Sequence, residues 1–311
     1  MAASGGKRID RAFRAVAFAA GFAVLAILAL IAYSTTKNAW PAFVHQGLSF
    51  LTSTHWDPNQ DEFGAFDFIY GTLLTAFIAL ALAVPASIGI ALFITEMAPK
   101  RVRTGTTYLV DLLAAIPSVV YGFWALEVLT TPAKRVYSGI ADTLGKLPIL
   151  GHFLGGPVSG TSFMTAGLIL AVMVTPIITS LSREVLATVA QDDKNAALAM
   201  GATRWEMLRV AVFPRVRSGL IGASMLGLGR AMGETIAVAL VIGSSHQVTS
   251  HIFFPGDSMA AVIAHNFGEA TGLSRSALIG LGVVLFAITI VINVLARIIA
   301  NRSTALAGTA R

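Results

Sequence analysis

Residues 184–220 read EVLATVAQDDKNAALAMGATRWEMLRVAVFPRVRSGL, the longest and most charged segment between two apolar stretches of the chain. Ala196 to Met200 favour a helix, and Gly201 is a residue type that commonly ends one. Trp205 to Val212 favour a second helix before Pro214. The segment therefore predicts two short helices joined by a glycine turn. A compact helical projection of this kind is suited to insertion into a groove on another protein.

The chain on either side of this segment is strongly apolar. Hydrophobic residues make up 55% of the 311 residues, charged residues only 12%, and the mean hydropathy is +0.75. This composition excludes an ordinary soluble protein, and apolar runs long enough to cross roughly 30 Å of hydrocarbon recur along the chain. The runs are Val16 to Tyr33, Tyr70 to Thr95, Gly105 to Leu126, Ser162 to Leu181, Leu220 to Ile242 and Ser276 to Ala296. We expect an all-α, polytopic membrane protein with six transmembrane helices.

Basic residues are distributed unequally around these runs. With the N-terminus inside, sixteen Lys and Arg lie on the cytoplasmic side, five lie outside and Arg230 falls within the fifth run. The positive-inside rule then places both termini in the cytoplasm. The net charge of +6 is therefore a topology signal, and we expect no nucleic-acid partner.

The runs divide the chain into an anchor, a core and a tail. Residues 1–69 hold a cytoplasmic tail, the first span and an outer loop; residues 70–300 hold the other five spans and the loop 184–217; residues 301–311 form a cytoplasmic tail. Pro85, Pro117 and Pro176 lie in the middle of three core spans, where each removes a backbone hydrogen bond. Ordinary bundle packing accommodates any one of them, whereas three in consecutive spans favour a bundle that moves. We expect the outer segment Thr131 to Gly160 to be interfacial or partly re-entrant.

The residue types needed for cofactor or metal chemistry are poorly represented. The chain has no cysteine, and His246, His251 and His265 lack the spacing of metal ligands on their outer loop. GIADTLGKL, at residues 139–147, has neither the spacing nor the hydroxyl residue of a phosphate-binding loop. We therefore expect no catalytic residue, no metal and no bound cofactor, and any ATP must be hydrolysed by another chain.

The fifth run contains two full charges, in GRAMGETIAV at residues 229–238. Arg230 and Glu234 stand at positions i and i+4, where they can neutralise each other on one helix face. A lone charge at mid-bilayer costs on the order of 3 kcal/mol, so such residues commonly mark a substrate path. Gly222, Gly227, Gly229 and Gly233 suggest close packing of this helix with neighbours. We favour a role for Arg230 and Glu234 in the path of an anion, which is compatible with pairing.

The loop resembles the EAA motif of binding-protein-dependent ABC importer permeases: Glu-Ala-Ala, three residues, Gly, nine residues, then Ile-x-Leu-Pro. Ala196, Ala197, Gly201 and Pro214 match the motif at the expected spacing. The motif's other residues are replaced by Asn195 for Glu, Ala211 for Ile and Phe213 for Leu. The resemblance implies that this loop couples to an ATPase subunit. The missing carboxylate at Asn195 implies that Asp192 or Asp193, one turn upstream, supplies the charge for that contact.

Further stretches narrow the resemblance. LLAAIPSVVYGFWAL in span three, GRAMGETIAVALVIG in span five and FGEATG before span six are similar to phosphate-specific transport permeases of the PstC type. The resemblance covers about residues 70–300. It implies a type I ABC importer in the bacterial inner membrane, with a second homologous permease subunit, an ATPase dimer that uses ATP and Mg, and an extracytoplasmic phosphate-binding protein.

Two other functions remain open at this point. A type I permease for another oxyanion, such as sulfate or molybdate, would share the coupling loop. A proton-coupled secondary transporter would use Glu234 as its proton carrier and would need no ATPase, but it leaves the loop motif unexplained.

Overall fold

The computed structural model describes residues 3–148 and 150–308, which are mostly helical. The α-helices are α1 (Ala3–Gln46), α2 (Ser49–Thr52), α3 (Phe66–Leu92), α4 (Lys100–Ala115), α5 (Ser118–Trp124), α6 (Thr130–Thr143), α7 (Gly151–Leu154), α8 (Phe163–Ala187), α9 (Gln191–Ala199), α10 (Arg204–Met207), α11 (Phe213–Gly233), α12 (Ile236–Ile242), α13 (Met259–Asn266) and α14 (Gly272–Gly308). Three π-helical turns, Phe93–Met97, Ala125–Leu129 and Leu208–Val212, continue α3, α5 and α10. The strands β1 (Trp56–Asp57) and β2 (Glu62–Phe63) form one antiparallel hairpin.

Six segments of the described chain are long and apolar enough to cross a membrane. Four are single helices, Asp10–Gln46, Phe66–Met97, Phe163–Ala187 and Gly272–Ile298. The other two are bent pairs: Lys100–Ala115 meets Ser118–Lys146 at 88°, and Arg204–Gly233 meets Ile236–Ile242 at 65°. The all-α membrane fold is confirmed, but spans three and five are each broken, contrary to the prediction of one helix per run.

Local backbone chemistry explains both breaks. Ile116 precedes Pro117, and the proline ring disfavours a helical conformation at the preceding residue; Ile116 and Pro117 both have extended ψ angles of 127° and 139°. The second break follows Gly233, a poor helix former, and Glu234 is extended with ψ of 126°. Pro85 and Pro176 lie inside α3 and α8, which continue past them. Only one of the three predicted proline kinks therefore ends a helix.

Connections at the two ends of the bundle have different character. At one end α9 and α10 lie beneath α3, α8 and α11, and we call this the coupling end. At the other, the distal end, Ser162 N donates to Val241 O at 3.0 Å and Phe163 N donates to Phe254 O at 3.2 Å. Between them α3 packs against α8, which also contacts α11 and α12, around a core that contains Ile169 and Ile178.

Two segments predicted as loops contain helix. α1 continues past Tyr33 to Gln46, and Phe50 and Phe63 then pack with α14 in a second buried cluster. Residues 130–143, predicted as part of an interfacial segment, form α6, in which Pro132 lies in the first turn, where its missing N–H is tolerated. The rest of the predicted interfacial segment holds only the short helix α7 and irregular structure.

Candidate functional site

The turn between α9 and α10 is built by complementary helix caps. α9 ends at Ala199, and Gly201 follows with φ of +86°, a conformation that glycine adopts without strain. Gly201 N donates to Leu198 O at 3.0 Å and Ala202 N donates to Ala197 O at 3.2 Å, the pair of bonds of a Schellman motif. The predicted end of the helix at Gly201 is therefore confirmed, and the carbonyls of Ala197 and Leu198 accept hydrogen bonds from within the chain.

A capping box starts the second helix. The Thr203 hydroxyl accepts a hydrogen bond from Glu206 N at 3.3 Å, and the Glu206 carboxylate accepts one from Thr203 N at 2.7 Å. Hydrogen bonds from the Thr203 amide and hydroxyl stabilise the carboxylate and lower the pKa of Glu206. The second helix starts at Arg204, one residue earlier than the sequence predicts. It runs through the π-helical turn into α11, where Pro214 lies in the first turn.

Two ion pairs connect this turn to the membrane helices. Lys194 Nζ lies 2.7 Å from Glu96 Oε1, and both side chains are nearly buried. Asp193 pairs with Arg215 at the start of α11, where both side chains are partly exposed. We call α9, the turn and α10, residues 191–207, the coupling knob. Two adjacent residues of α9 are thus held by different spans.

The remaining predicted coupling residues lie on the exposed side of the knob. Asp192 and Ala196 are exposed, Ala197 is half-buried, and the exposed Asn195 accepts a hydrogen bond from Gln191 at 3.1 Å. Met200 and Trp205 are 89% and 62% exposed, so the knob carries large apolar side chains that are mostly uncovered, although one edge of Trp205 lies against Phe213. This surface has the composition of a protein interface rather than of a solvated loop.

Arg230 and Glu234 do not form the predicted pair on one helix face. α11 ends at Gly233, so Glu234 leaves the helix before the geometry of positions i and i+4 is completed. In the described part of the chain no salt bridge joins the two residues. Glu234 is 9% exposed, and its Oε1 accepts a hydrogen bond from Ala237 N at 3.4 Å, capping α12. Arg230 is exposed. The alternative of a neutralising ion pair is not realised, because the helix ends between the two charges.

The glycines of α11 face two different surroundings. A Cβ at Gly227 would lie 2.5 Å from Ile178 Cδ1, so α8 approaches α11 closely there. Around Gly222, Gly229 and Gly233, by contrast, a Cβ would meet no atom within 4 Å. Gly229 and Gly233 flank the exposed Arg230 on the open side of α11, whereas Gly222 lines a cavity between α11 and α14. The prediction of close packing holds for Gly227, whereas no atom of the described residues would contact a Cβ at the other three.

Glu96, Lys194 and Arg215 were missed as functional candidates in the sequence. Glu96 is the first carboxylate after a long apolar run, and Lys194 follows two aspartates, so both had ordinary explanations as solvated charges at a membrane surface. Only the fold brings positions 96 and 194 together. For metals, the described residues contain no group of three or more His, Cys, Asp or Glu side chains that could hold an ion. His246 lies 3.6 Å from Asp257, and His265 is near Ser244.

Comparison with known proteins agrees with this geometry. Residues 83–304 match the family model described as binding-protein-dependent transport system inner membrane component. The phosphate transport system permease protein PstC of Xylella fastidiosa strain Temecula1 is 45% identical over 297 residues, 95% of this chain and 91% of the relative. The chain belongs to the PstC family of permeases. The PstC protein of Haemophilus influenzae is 43% identical over 90% of this chain and 89% of the relative. PstC 2 of Mycobacterium tuberculosis is 40% identical over 95% and 93%.

Members of the PstC family are transport permeases and not enzymes, and the chain is accordingly a multi-pass protein of the bacterial inner membrane. Among solved structures, an inward-facing form of the MetNI methionine ABC transporter matches with a TM-score of 0.54 at 17% identity. The match covers 78% of this chain and 94% of that chain. At this identity the likeness shows the fold alone, which is that of an ABC importer permease. α1 lies outside the residues that the family model matches.

Proposed function

We propose that this chain is the permease subunit of an ATP-driven importer of inorganic phosphate and forms one half of its transmembrane path. The observation that carries the substrate is the 45% identity to a phosphate permease across 95% of the chain. The aligned region includes the coupling knob, the broken fifth span and both ends of the bundle. The relative and this chain are therefore similar along the whole permease and not in one motif alone.

The coupling knob is the proposed contact for a separate ATPase subunit, which binds ATP and Mg. Met200 and Trp205 supply an exposed apolar surface for a groove on that partner. Asp193 is engaged by Arg215, which leaves the exposed Asp192 to provide the charge that Asn195 lacks. This assignment makes the coupling end cytoplasmic and the distal end extracytoplasmic, in keeping with sixteen basic residues against five.

Arg230 is the proposed charge partner of phosphate in the path. Its side chain lies on the open side of α11, beside glycines that leave room for a second, homologous permease subunit, which we propose to be a different chain. An anion between two such helices is favoured by a cation in a low-dielectric environment. Glu234 acts beside it by holding the start of α12, so the bend next to Arg230 keeps its shape.

Transport reconstitution tests this proposal directly. The chain is reconstituted into proteoliposomes with its second permease subunit, ATPase and phosphate-binding protein, and uptake of labelled phosphate is measured with and without ATP. Phosphate uptake that needs ATP and the binding protein supports the proposal. ATP-driven uptake of sulfate or molybdate in place of phosphate would overturn the substrate. Uptake without the ATPase that an uncoupler abolishes would overturn the mechanism and indicate a proton-coupled transporter.

A further inference from the structure

A second group of basic residues lies at the opposite end of α12 from Arg230, in a cavity at the distal end. The cavity has a volume of about 450 Å³ and lies between α6 and the loop that precedes α8. We call it the distal cavity; the lining residues important here are Thr131, Lys134, Arg135, Ser138, Ser159 and Thr161. Its lining combines two cations with hydroxyl groups and includes no carboxylate.

Neither cation is neutralised by the protein. Lys134 and Arg135 are exposed, and neither forms a salt bridge with any residue that the structure describes. The Ser159 and Thr161 hydroxyls lie 3.2 Å apart, and one hydrogen bond between them leaves a second hydroxyl proton available. Guanidinium, ammonium and hydroxyl donors around one space are the groups that bind the oxygens of a phosphate group, and arginine can do so with two parallel bonds.

The two walls of the cavity are fixed to each other by buried contacts. Gly160 lies so close to α6 that a Cβ there would be 2.4 Å from Thr130 O. The Thr165 hydroxyl donates to Gly160 O at 2.6 Å and is 3.1 Å from the hydroxyl of Tyr137, which is 6% exposed and belongs to α6. The hydroxyls of the loop are thus held opposite the cations of α6 before any ligand arrives.

The distal cavity is also adjacent to the end of the broken fifth span. Gly243 ends α12 with φ of +102°, and a Cβ there would lie 3.2 Å from the Thr161 hydroxyl. The other end of α12 is capped by Glu234. Seven helical residues span about 10 Å, so one short helix separates this cavity from the charges of the proposed path.

We infer that the distal cavity is a binding site for a phosphate group, held by Lys134, Arg135 and the hydroxyls of Ser159 and Thr161. Two sources offer this chemistry at the distal end: inorganic phosphate on its way to Arg230, and the headgroup of an anionic phospholipid. The first source rests on the proposed function. The second stands without it.

Local thiol labelling tests the site. The chain has no cysteine, so Ser138→Cys places a single reporter thiol in the lining. The complete transporter is placed in nanodiscs of phosphatidylcholine alone, and the rate of labelling of this subunit by a thiol reagent is measured against inorganic phosphate. The same rate is then measured without phosphate in nanodiscs that contain phosphatidylglycerol. Protection by phosphate identifies the free anion, and protection by phosphatidylglycerol identifies the headgroup; either supports the site.

Charge removal shows whether protection comes from the cations. Lys134→Gln with Arg135→Gln should raise the protecting concentration of phosphate, or reduce protection by phosphatidylglycerol, at least about tenfold, the effect of one lost charge-assisted hydrogen bond. Lys37→Gln with Lys146→Gln removes two exposed lysines outside the cavity and should change nothing. Should the double variant fail to assemble, Thr161→Val keeps both charges and should still weaken protection several-fold.

The outcomes separate this site from the proposed function. No protection by either source, or equal protection in the double variant, overturns the site. The site is also overturned if the double variant keeps normal protection and loses only its binding to the phosphate-binding protein. Protection without ATP-driven phosphate uptake would overturn the proposed function and leave the site standing, whereas uptake without protection would overturn the site alone.

Discussion

Lys194 Nζ and Glu96 Oε1 are 2.7 Å apart, although the residues lie 98 positions apart in the chain. The pair joins the first turn of α9 to the π-helical end of α3. Because both side chains are nearly buried, neither charge can be solvated if its partner is lost. This ion pair therefore holds the coupling knob against α3 together with the apolar cluster that contains Ala91 and Met207.

Breaking this pair should loosen the knob. Lys194→Met or Glu96→Gln leaves one buried group without its partner, a change that typically costs about 3–5 kcal/mol. We expect faster proteolysis at Arg204 or Arg209 and a loss of ATP-driven uptake, because a mobile knob cannot transmit force. Lys100→Met, an exposed lysine nearby, serves as the control. The double variant Lys194→Glu with Glu96→Lys restores an ion pair and should recover part of the resistance to proteolysis. If both single variants resist proteolysis as well as the original chain does, the prediction is wrong.

The two aspartates of α9 should differ in their effects. Asp192→Asn should weaken co-purification with the ATPase, since Asp192 is exposed and carries the proposed contact charge. Asp193→Asn removes only a partly exposed pair with Arg215, typically worth up to about 1 kcal/mol, and should leave ATPase binding nearly unchanged. Asn195→Glu should restore binding in the Asp192→Asn background. Equal losses from Asp192→Asn and Asp193→Asn would mean that neither residue is the specific contact.

Arg230 should be needed for transport and not for assembly. Arg230→Gln removes an exposed charge that has no partner in the described chain, so insertion and co-purification should be retained while phosphate uptake is abolished. Arg230→Lys should keep some uptake because the positive charge remains. Loss of the protein from the membrane in Arg230→Gln would instead indicate a structural role.

Glu234 should respond to the geometry of its hydrogen bond. Glu234→Gln keeps an oxygen that can accept from Ala237 N and should preserve folding, whereas Glu234→Leu removes the α12 cap at a cost of about 1 kcal/mol. Thermal unfolding of the purified complex measures the difference. If Glu234→Gln folds normally yet transports no phosphate, the negative charge of Glu234 has a role in transport in addition to the hydrogen bond that caps α12.

Gly201 should tolerate no other residue without strain. A Cβ at φ of +86° costs about 1–2 kcal/mol, so Gly201→Ala should destabilise the knob and reduce ATPase binding. Gly201→Asn should have a smaller effect, because Asn adopts this conformation more readily. Gly139→Ala is the matched control: this glycine lies within α6 with nothing near its Cβ position, and the change should be neutral or slightly stabilising.

Local signals in the sequence predict the parts of this molecule that depend on neighbouring residues. The length of the apolar runs identifies the spans, and Gly201 identifies the end of α9 through its backbone alone. The ion pair between positions 96 and 194 cannot be predicted in this way, since its members meet only when α3 and α9 share one end of the bundle. The supposed Arg230 and Glu234 pair fails for a related reason: its spacing holds only if the helix continues past Gly233. The role proposed for Lys134 and Arg135 likewise depends on a tertiary contact, the packing of α6 against Gly160.

The 65° turn after Gly233 changes how a displacement can travel through this span. A straight rod would carry a push from the coupling end to the distal end along its own axis. Here α12 is attached to the start of α8 through Ser162 and Val241, so axial motion of α11 must become rotation at Glu234 and Thr235. The carboxylate of Glu234 sits at that pivot and holds only the distal arm. We therefore expect a displacement at the coupling end to move Arg230, on α11, more than it moves the distal arm, α12.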